Sequence, residues 1–303
     1  MALDADTLVD RRRLKRQLNI WRTLAIVIAV GAVAAAVGRF AGLEGGDYVS
    51  RLTVSDLILH DTDRIAAIER IADDENARAL IVRIDSPGGT VVGGEALYHA
   101  LRKVAANKPV VAVLGQVATS AGYMVAIAAD YIVAHEGTIT GSIGVIMQTT
   151  EISGLLDKLG ITAEAIRSGP LKAVPSPFEP MTPAGRESAQ ALVDDVFAMF
   201  RELVAKRRQL SPSEIDSLAD GSVFSGKKAR KLRLIDAIGG ETEARKWLES
   251  VKGIAASMPA RNIHDRRSVE DWVRYVTKIA QKTLLSERLT LDGLISVWHP
   301  DVR

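Results

Sequence analysis

Short apolar runs alternate with helical patterns through the middle of the chain. Residues 54–59, 79–84 and 110–114 are runs of strand-forming residues, and the segments between them place apolar residues at helical spacing. Strands that alternate with helices over short connections are typical of a parallel sheet with helices packed on its faces. The pattern therefore predicts an α/β fold.

The same alternation continues towards the C-terminus. Further strands are predicted at residues 131–134, 143–147 and 163–166, with a helix near residues 153–159. A proline-rich loop follows, after which a threonine and a proline can begin a long helix that runs from about residue 183 to 208. The charged region after this domain is expected to form a separate helical or partly disordered extension.

A different pattern occupies the N-terminus. Residues 1–22 are polar and basic, and residues 23–38 are sixteen positions without a charge, bracketed by arginines. Trp21 and Phe40 flank this run where interfacial aromatic residues would lie, which extends it towards the roughly 20 residues that a bilayer span requires. We therefore predict one transmembrane helix over residues 23–40.

Two alternatives to an anchor are a cleaved signal peptide, with a cleavage site among Ala34 to Ala36, and a buried core helix. Arginines at both ends and apolar residues all round disfavour the core helix, and the long leader favours an anchor that stays attached. By the positive-inside rule, the basic leader remains in the cytoplasm and residues 41–303 cross the membrane.

Composition narrows the function classes. Apolar residues make up 47% of the chain, enough for a sizeable core, and a net charge of +2 gives no basic surface for nucleic acid. The absence of cysteine excludes thiol catalysis, disulfide bonds and cysteine-bound metal. We expect neither a metal nor a cofactor.

Ser120 lies where an apolar strand meets a stretch rich in alanine and glycine. An α/β protein can present a nucleophile at such a junction, because backbone N–H groups at a helix start stabilise nearby negative charge. Alternatively, Ser120 is only the cap of a tightly packed helix, since serine is a favoured N-cap. This stretch alone does not distinguish the two.

A serine nucleophile needs a base within hydrogen-bond reach. None of the five histidines lies in a context that suggests catalysis, although His135 follows a predicted strand soon after Ser120. Lys172 lies in the proline-rich loop among apolar neighbours. A lysine can serve as the base near pH 7 when an apolar pocket lowers its pKa by about three units.

The sequence D-S-P-G-G at Asp85 to Gly89 follows a buried strand. Pro87 stiffens a turn, and Gly88 and Gly89 allow the backbone to approach a ligand closely. Such a turn can aim an N–H group at an oxyanion, or it can be an ordinary tight turn.

Four motifs occur in order between about residues 50 and 250: I-D-S-P-G-G-T-V, A-T-S-A-G-Y-M-V, T-I-T-G-S-I-G-V and S-G-P-L-K. Together with a later V-F-S-G-K-K-A-R-K-L-R-L-I-D-A-I-G-G, they resemble the signal peptide peptidase SppA family of serine peptidases, in its short form with one anchor and one catalytic copy. The resemblance implies a ClpP/crotonase-like fold, here preceded by the transmembrane helix. It also implies a Ser/Lys dyad, in which Ser120 matches the nucleophile, Lys172 the general base and Ser142 the serine that orients the lysine amine.

The implied oxyanion hole uses the N–H of Ala121 with that of Gly88 or Gly89. The chain departs from the family pattern at two positions. Ala121 stands where glycine commonly follows the nucleophile, which narrows the pocket by a methyl group and keeps the N–H. Arg233 stands where glycine is usual, which puts the end of its helix in doubt.

By the same resemblance, the protein is expected to be a membrane-anchored serine endopeptidase of the bacterial inner membrane, with its catalytic domain outside the cytoplasm. Its expected substrates are remnant signal peptides or other apolar, extended peptides, and its expected assembly is a ring-shaped homo-oligomer. The alternative is a catalytically silent scaffold of the same fold. The predicted organisation is a leader (1–22), an anchor (23–40), a linker (41–52), a peptidase domain (53–255) and an extension (256–303).

Overall fold

The structure, a computed structural model, describes residues 46–263 together with residues 17, 18, 20–24 and 28, which are helical. The predicted anchor lies almost entirely outside these residues, as does the part of the predicted extension (256–303) that follows residue 263. Among the described residues, no helix has the length and apolar character needed to cross a bilayer. The chain divides into two compact units, Met1–Asp47 and Tyr48–Arg303, of which the second contains the sheet.

The described residues form one sheet. Its strands are β1 (Tyr48–Ile58), β2 (Ala77–Gly89), β3 (Val110–Thr119), β4 (Tyr131–Ala134), β5 (Ile139–Gly141), β6 (Val223–Ser225), β7 (Ala237–Ile238) and β8 (Ala260–Asn262). The strand order is β6-β5-β3-β2-β1-β8, with β4 beside β3 and β7 beside β4. Neighbouring strands are parallel except for the antiparallel pair β5 and β6.

Helices connect these strands along the described part of the chain. They are α1 (Thr62–Asp73), α2 (Val91–Ala105), α3 (Ala121–Ala126), α4 (Ser153–Lys158), α5 (Pro183–Arg208), α6 (Pro212–Leu218), α7 (Gly226–Lys231) and α8 (Glu241–Lys252). The long helix predicted after the proline-rich loop is therefore confirmed at both ends. Thr182 caps it by accepting a hydrogen bond from the N–H of Gly185.

Both faces of the central strands are buried. On one face, Leu80, Val82 and Ile84 of β2 belong to the larger core, which includes residues of α1, α2 and α3. On the other face, Ala79 and Ile81 belong to a smaller core with α8. Because successive side chains of a strand point to opposite faces, strands buried on both faces are apolar throughout. The predicted α/β fold, a mostly parallel sheet flanked by helices, is confirmed.

The D-S-P-G-G segment extends a strand. β2 continues to Gly89, and its end pairs with Leu57 and Ile58 of β1. A bulge between Ser55 and Leu57 shifts the register, and Asp56 within it has a φ of 56°. The expectation of a tight turn is wrong, because proline and glycine are tolerated in a strand beside a bulge.

Residues 145–182 form an irregular arm that contains α4. The strands predicted at residues 143–147 and 163–166 are absent from this part of the chain. Contacts within the arm include a hydrogen bond from the N–H of Ile152 to the carbonyl of Pro177 at 2.8 Å and an ion pair between Arg167 and Glu179. The apolar runs predicted strands here, but a strand forms only where a neighbouring edge pairs with its backbone.

The end of α7 accounts for one departure from the family pattern. α7 ends at Lys231, and Arg233 has a φ of 61°. This left-handed conformation is the one that glycine adopts most readily after a helix. Arginine therefore occupies a backbone position suited to glycine, and the helix still ends there.

Candidate active site

Ser120 joins the end of β3 to the start of α3 in a strained backbone conformation. Its φ is 53° and its ψ is −121°, a combination that glycine adopts far more readily than serine. Its N–H donates to the carbonyl of Gly141 in β5 at 2.9 Å. Its side chain makes no capping hydrogen bond, although it occupies the N-cap position. The alternative that Ser120 is an ordinary helix cap is therefore wrong, and such strain is typical of a functional position.

Gly88 packs directly against this turn. Its φ is 124°, and a Cβ at this position would lie 3.0 Å from Cβ of Ser120 and 3.4 Å from the nitrogen of Ala121. A Cβ on Gly89 would lie 2.0 Å from the carbonyl oxygen of Ile58. Both positions therefore favour glycine, and the structure places the D-S-P-G-G segment against Ser120.

The two glycine amides of this segment point in different directions. The N–H of Gly88 donates to the hydroxyl of Ser86 at 3.2 Å. The N–H of Thr90 donates to the carbonyl of Ile58 in β1 at 2.9 Å. Because consecutive N–H groups of an extended strand point to opposite edges, the N–H of Gly89 points away from β1. The N–H of Gly89 is therefore directed to the side of β2 that faces β3, the strand that Ser120 follows.

Ser142 lies next to Ser120 in the sheet. Thr119 and Gly141 are register partners in β3 and β5, so the residues that follow them, Ser120 and Ser142, lie side by side. Ser142 has a φ of 51°, and its N–H donates to the carbonyl of Ser222 at 2.8 Å. The structure thus brings Ser142 to the candidate nucleophile.

Lys172 lies in the arm, outside the strands and the helix that flank Ser120 and Ser142. It belongs to a turn of the arm in which its N–H donates to the carbonyl of Gly169 at 3.1 Å, and its side chain is exposed. The apolar pocket expected around this lysine is not formed within the single chain.

His135 lies on the other face of the sheet. Its imidazole is close to Gly240 at the start of α8, where a Cβ would lie 3.2 Å from Cε1 of the ring. It lines a cleft of about 420 Å³ with Arg83, Asp85 and Glu241, on the face that packs against α8. None of the predicted site residues lines this cleft, and His135 is therefore not placed to act as a base for Ser120.

Two hydroxyl groups that the sequence analysis did not single out contact the glycine segment. The hydroxyl of Thr119 donates to the carbonyl of Pro87 at 2.8 Å. The hydroxyl of Ser86 donates to the carbonyl of Asp56 and accepts the N–H of Gly88. Both lie within the quoted motifs, Ser86 in D-S-P-G-G and Thr119 directly before Ser120, but nothing in the sequence shows which backbone groups their hydroxyls contact.

Comparisons with known proteins identify the family. The model of peptidase family S49 matches residues 102–255, and the model of Clp protease matches residues 26–140. The first match contains Ser120, Ser142 and Lys172.

Relatives from several organisms match large parts of the chain. The Synechocystis protein slr0021, whose name marks it as a candidate protease, is 36% identical over 207 residues, which are 68% of this chain and 75% of the relative. A candidate signal peptide peptidase SppA of Enterococcus faecium is 31% identical over 237 residues, which are 78% of this chain and 68% of the relative. The chloroplastic serine protease SPPA of Arabidopsis thaliana is 34% identical over 181 residues, which are 59% of this chain and 27% of the relative. The chain therefore belongs to peptidase family S49 and is a serine peptidase with a ClpP-like α/β fold.

Proposed function

We propose that the protein is a serine endopeptidase in which Ser120 is the nucleophile and Lys172 is the general base. The observation that carries the proposal is the strained backbone of Ser120, which has a φ of 53°. The Ser120 side chain makes no capping hydrogen bond, and the residue packs against Gly88, where a Cβ would be too close. Strain of this kind costs about 1–3 kcal/mol and persists where the surrounding structure maintains it for a function. Membership of a peptidase family argues against the alternative of a silent scaffold.

In the proposed mechanism, the neutral amine of Lys172 accepts the proton of the Ser120 hydroxyl, and the oxygen attacks the carbonyl carbon of a peptide bond. The N–H groups of Ala121 and Gly89 donate hydrogen bonds to the oxyanion that forms. The lysine then gives its proton to the leaving amine, and a water molecule hydrolyses the acyl-enzyme. Ser142, beside Ser120 in the sheet, orients the lysine amine.

Assembly of several copies would complete this site. A lysine amine is neutral near pH 7 only when it is desolvated, and Lys172 is exposed in the single chain. The arm around it carries many large apolar side chains on its surface, an arrangement typical of a protein interface. These residues are Ile146, Met147, Leu155, Leu159, Ile161, Ile166, Leu171 and Phe178. We propose that a homo-oligomeric ring covers the arm and removes Lys172 from water.

The substrates that fit this proposal are remnant signal peptides and other apolar, extended peptides at a membrane. The support is the uncharged run at residues 23–38, with a basic leader before it and arginines at both ends. We propose that residues 23–40 anchor the protein in the bacterial inner membrane. The leader would lie in the cytoplasm and the catalytic domain outside it.

Hydrolysis of an apolar peptide by the full chain tests the proposed dyad. Ser120→Ala and Lys172→Ala should each reduce kcat by about 1,000-fold or more. Lys158→Ala is the matched control, because Lys158 is another exposed lysine of the arm, and it should retain wild-type activity. Activity that survives both Ser120→Ala and Lys172→Ala would contradict the dyad.

A serine-reactive acylating probe separates the two roles. Labelling of wild type should increase with pH as the base deprotonates, whereas Ser120→Ala should not be labelled at any pH. In Lys172→Ala the remaining labelling should lose this pH dependence. An unchanged pH profile in Lys172→Ala would remove Lys172 as the base.

A further inference from the structure

We propose that the hydroxyl groups of Ser86 and Thr119 clamp the Pro87–Gly88 peptide unit and thereby fix the orientation of the oxyanion hole. Both are positioning residues that act through the backbone. The inference rests on the proposed function, because it assigns these hydroxyls to the site built around Ser120.

The clamp holds both polar groups of one peptide unit. Thr119 donates to the carbonyl of Pro87 at 2.8 Å, and Gly88 donates its N–H to Ser86 at 3.2 Å. In a trans peptide the C=O and N–H groups point in opposite directions. The carbonyl of Pro87 is therefore held towards Thr119, the residue before Ser120, and the N–H of Gly88 is held away from Thr119.

Ser86 also ties the segment to the neighbouring strand. Its side chain is fully buried, and its hydroxyl donates to the carbonyl of Asp56, the residue with positive φ in the β1 bulge. The same hydroxyl lies 3.2 Å from the carbonyl oxygen of Gly88. A single buried hydroxyl thus fixes the bulge of β1 relative to the glycine segment of β2.

The orientation of this peptide unit determines which amide faces the nucleophile. With the N–H of Gly88 bound to Ser86, the next amide, that of Gly89, is directed to the side of Ser120. A glycine backbone rotates with little steric hindrance, so the sequence P-G-G alone does not fix this arrangement. An oxyanion hole is effective only if its donors are oriented before the reaction, and the two hydroxyls provide that orientation.

The test compares variants that remove each hydroxyl. Thr119→Val and Ser86→Ala should each lower kcat by on the order of 10- to 100-fold and leave KM within about threefold, because the loss affects the transition state. A peptide aldehyde reports on the same donors, since addition of the Ser120 oxygen converts its carbonyl oxygen into an oxyanion. Its inhibition constant should rise by about the same factor as kcat falls. Thr119→Ser, which retains the hydroxyl, should recover most of the activity.

Thr138→Val is the matched structural control. Thr138 is equally buried, donates to the carbonyl of Gly115 at 2.7 Å and accepts the N–H of His135 at 3.0 Å, away from Ser120. It should lower the melting temperature as much as Thr119→Val and leave kcat within about twofold. If Thr119→Val and Ser86→Ala lower only the melting temperature, the clamp is overturned. If Ser120→Ala remains active, the proposed function fails instead, and the two failures are thereby distinguished.

Discussion

Gly88 and Ser120 are 32 positions apart in the chain, yet a methyl group on Gly88 would lie 3.0 Å from Cβ of Ser120. Gly88 is the next-to-last residue of β2, and Ser120 is the N-cap of the helix that follows β3. Their contact forms because β2 and β3 are parallel neighbours, so that their carboxyl ends meet at the same edge.

Gly88→Ala should impair both activity and stability. The new methyl group would press against Ser120, and φ at this position is 124°, which an alanine adopts only with strain. We expect kcat to fall by on the order of 100-fold and the free energy of unfolding by about 1–3 kcal/mol. Gly137→Ala is the control, because a Cβ there would meet no atom within 4 Å. Equal effects of the two substitutions on kcat would contradict the role of Gly88.

Ser120→Gly should be inactive but more stable than Ser120→Ala. Both substitutions remove the hydroxyl, and only glycine relieves the positive φ. The free energy of unfolding, measured by urea denaturation, should be higher for Ser120→Gly by about 1–2 kcal/mol. If the alanine variant is the more stable of the two, the backbone of Ser120 is not strained.

Ile166→Glu should weaken assembly without unfolding the chain. Ile166 is 99% exposed, so a charge there costs no burial within one copy. In an apolar interface the same charge would have to be desolvated, which is costly. Analytical ultracentrifugation should show smaller species, activity should fall, and the melting temperature of the dissociated form should stay unchanged. Val251→Glu, at an exposed apolar residue of α8, is the control and should leave the assembly intact. If Val251→Glu dissociates the assembly and Ile166→Glu does not, the proposed interface is contradicted.

The pair formed by Tyr48 and Asp74 predicts a loss of stability at both extremes of pH. The hydroxyl of Tyr48 donates to Oδ2 of Asp74 at 2.6 Å. This hydrogen bond holds the pKa of Asp74 below its ordinary value of 3.8. Burial, and then the same bond, raise the pKa of Tyr48 above its ordinary value of 10.0. The contribution of Asp74 to the free energy of unfolding is therefore present above pH 3.8 and is lost as the pH falls through the lowered pKa. The contribution of Tyr48 is lost as the pH rises through its raised pKa.

Tyr48→Phe provides the measurement. At pH 7 the variant should be less stable than wild type by about 1 kcal/mol, the typical contribution of such a hydrogen bond. The difference in free energy of unfolding should shrink as the pH falls below about 4, because Asp74 becomes protonated first in the unfolded chain and then, at its lowered pKa, in the folded chain. A difference that persists unchanged at pH 2 would exclude the carboxylate as its source.

Several features of the fold could be predicted from residues close together in the chain. The apolar runs of β2 and β3 predicted strands buried on both faces, and Thr182 with Pro183 predicted the start of α5. These predictions succeed because the alternation of side chains and the capping of a helix depend on local spacing. The predicted strand at residues 163–166 was wrong, because strand formation depends on a pairing partner that local spacing does not reveal.

The sequence by itself determined the order of most strands and helices. It also identified the motifs that resemble one peptidase family, including the glycine segment and Ser120, and the residues whose chemistry suits catalysis. Only the tertiary structure decided that Ser120 carries a positive φ without capping its helix, and that Gly88 lies against it. It also decided that Ser86 and Thr119 hold the peptide unit between them, and that Lys172 is exposed in a single copy. The physical reason is that these contacts depend on the register of neighbouring strands, which brings together residues that are distant in the chain.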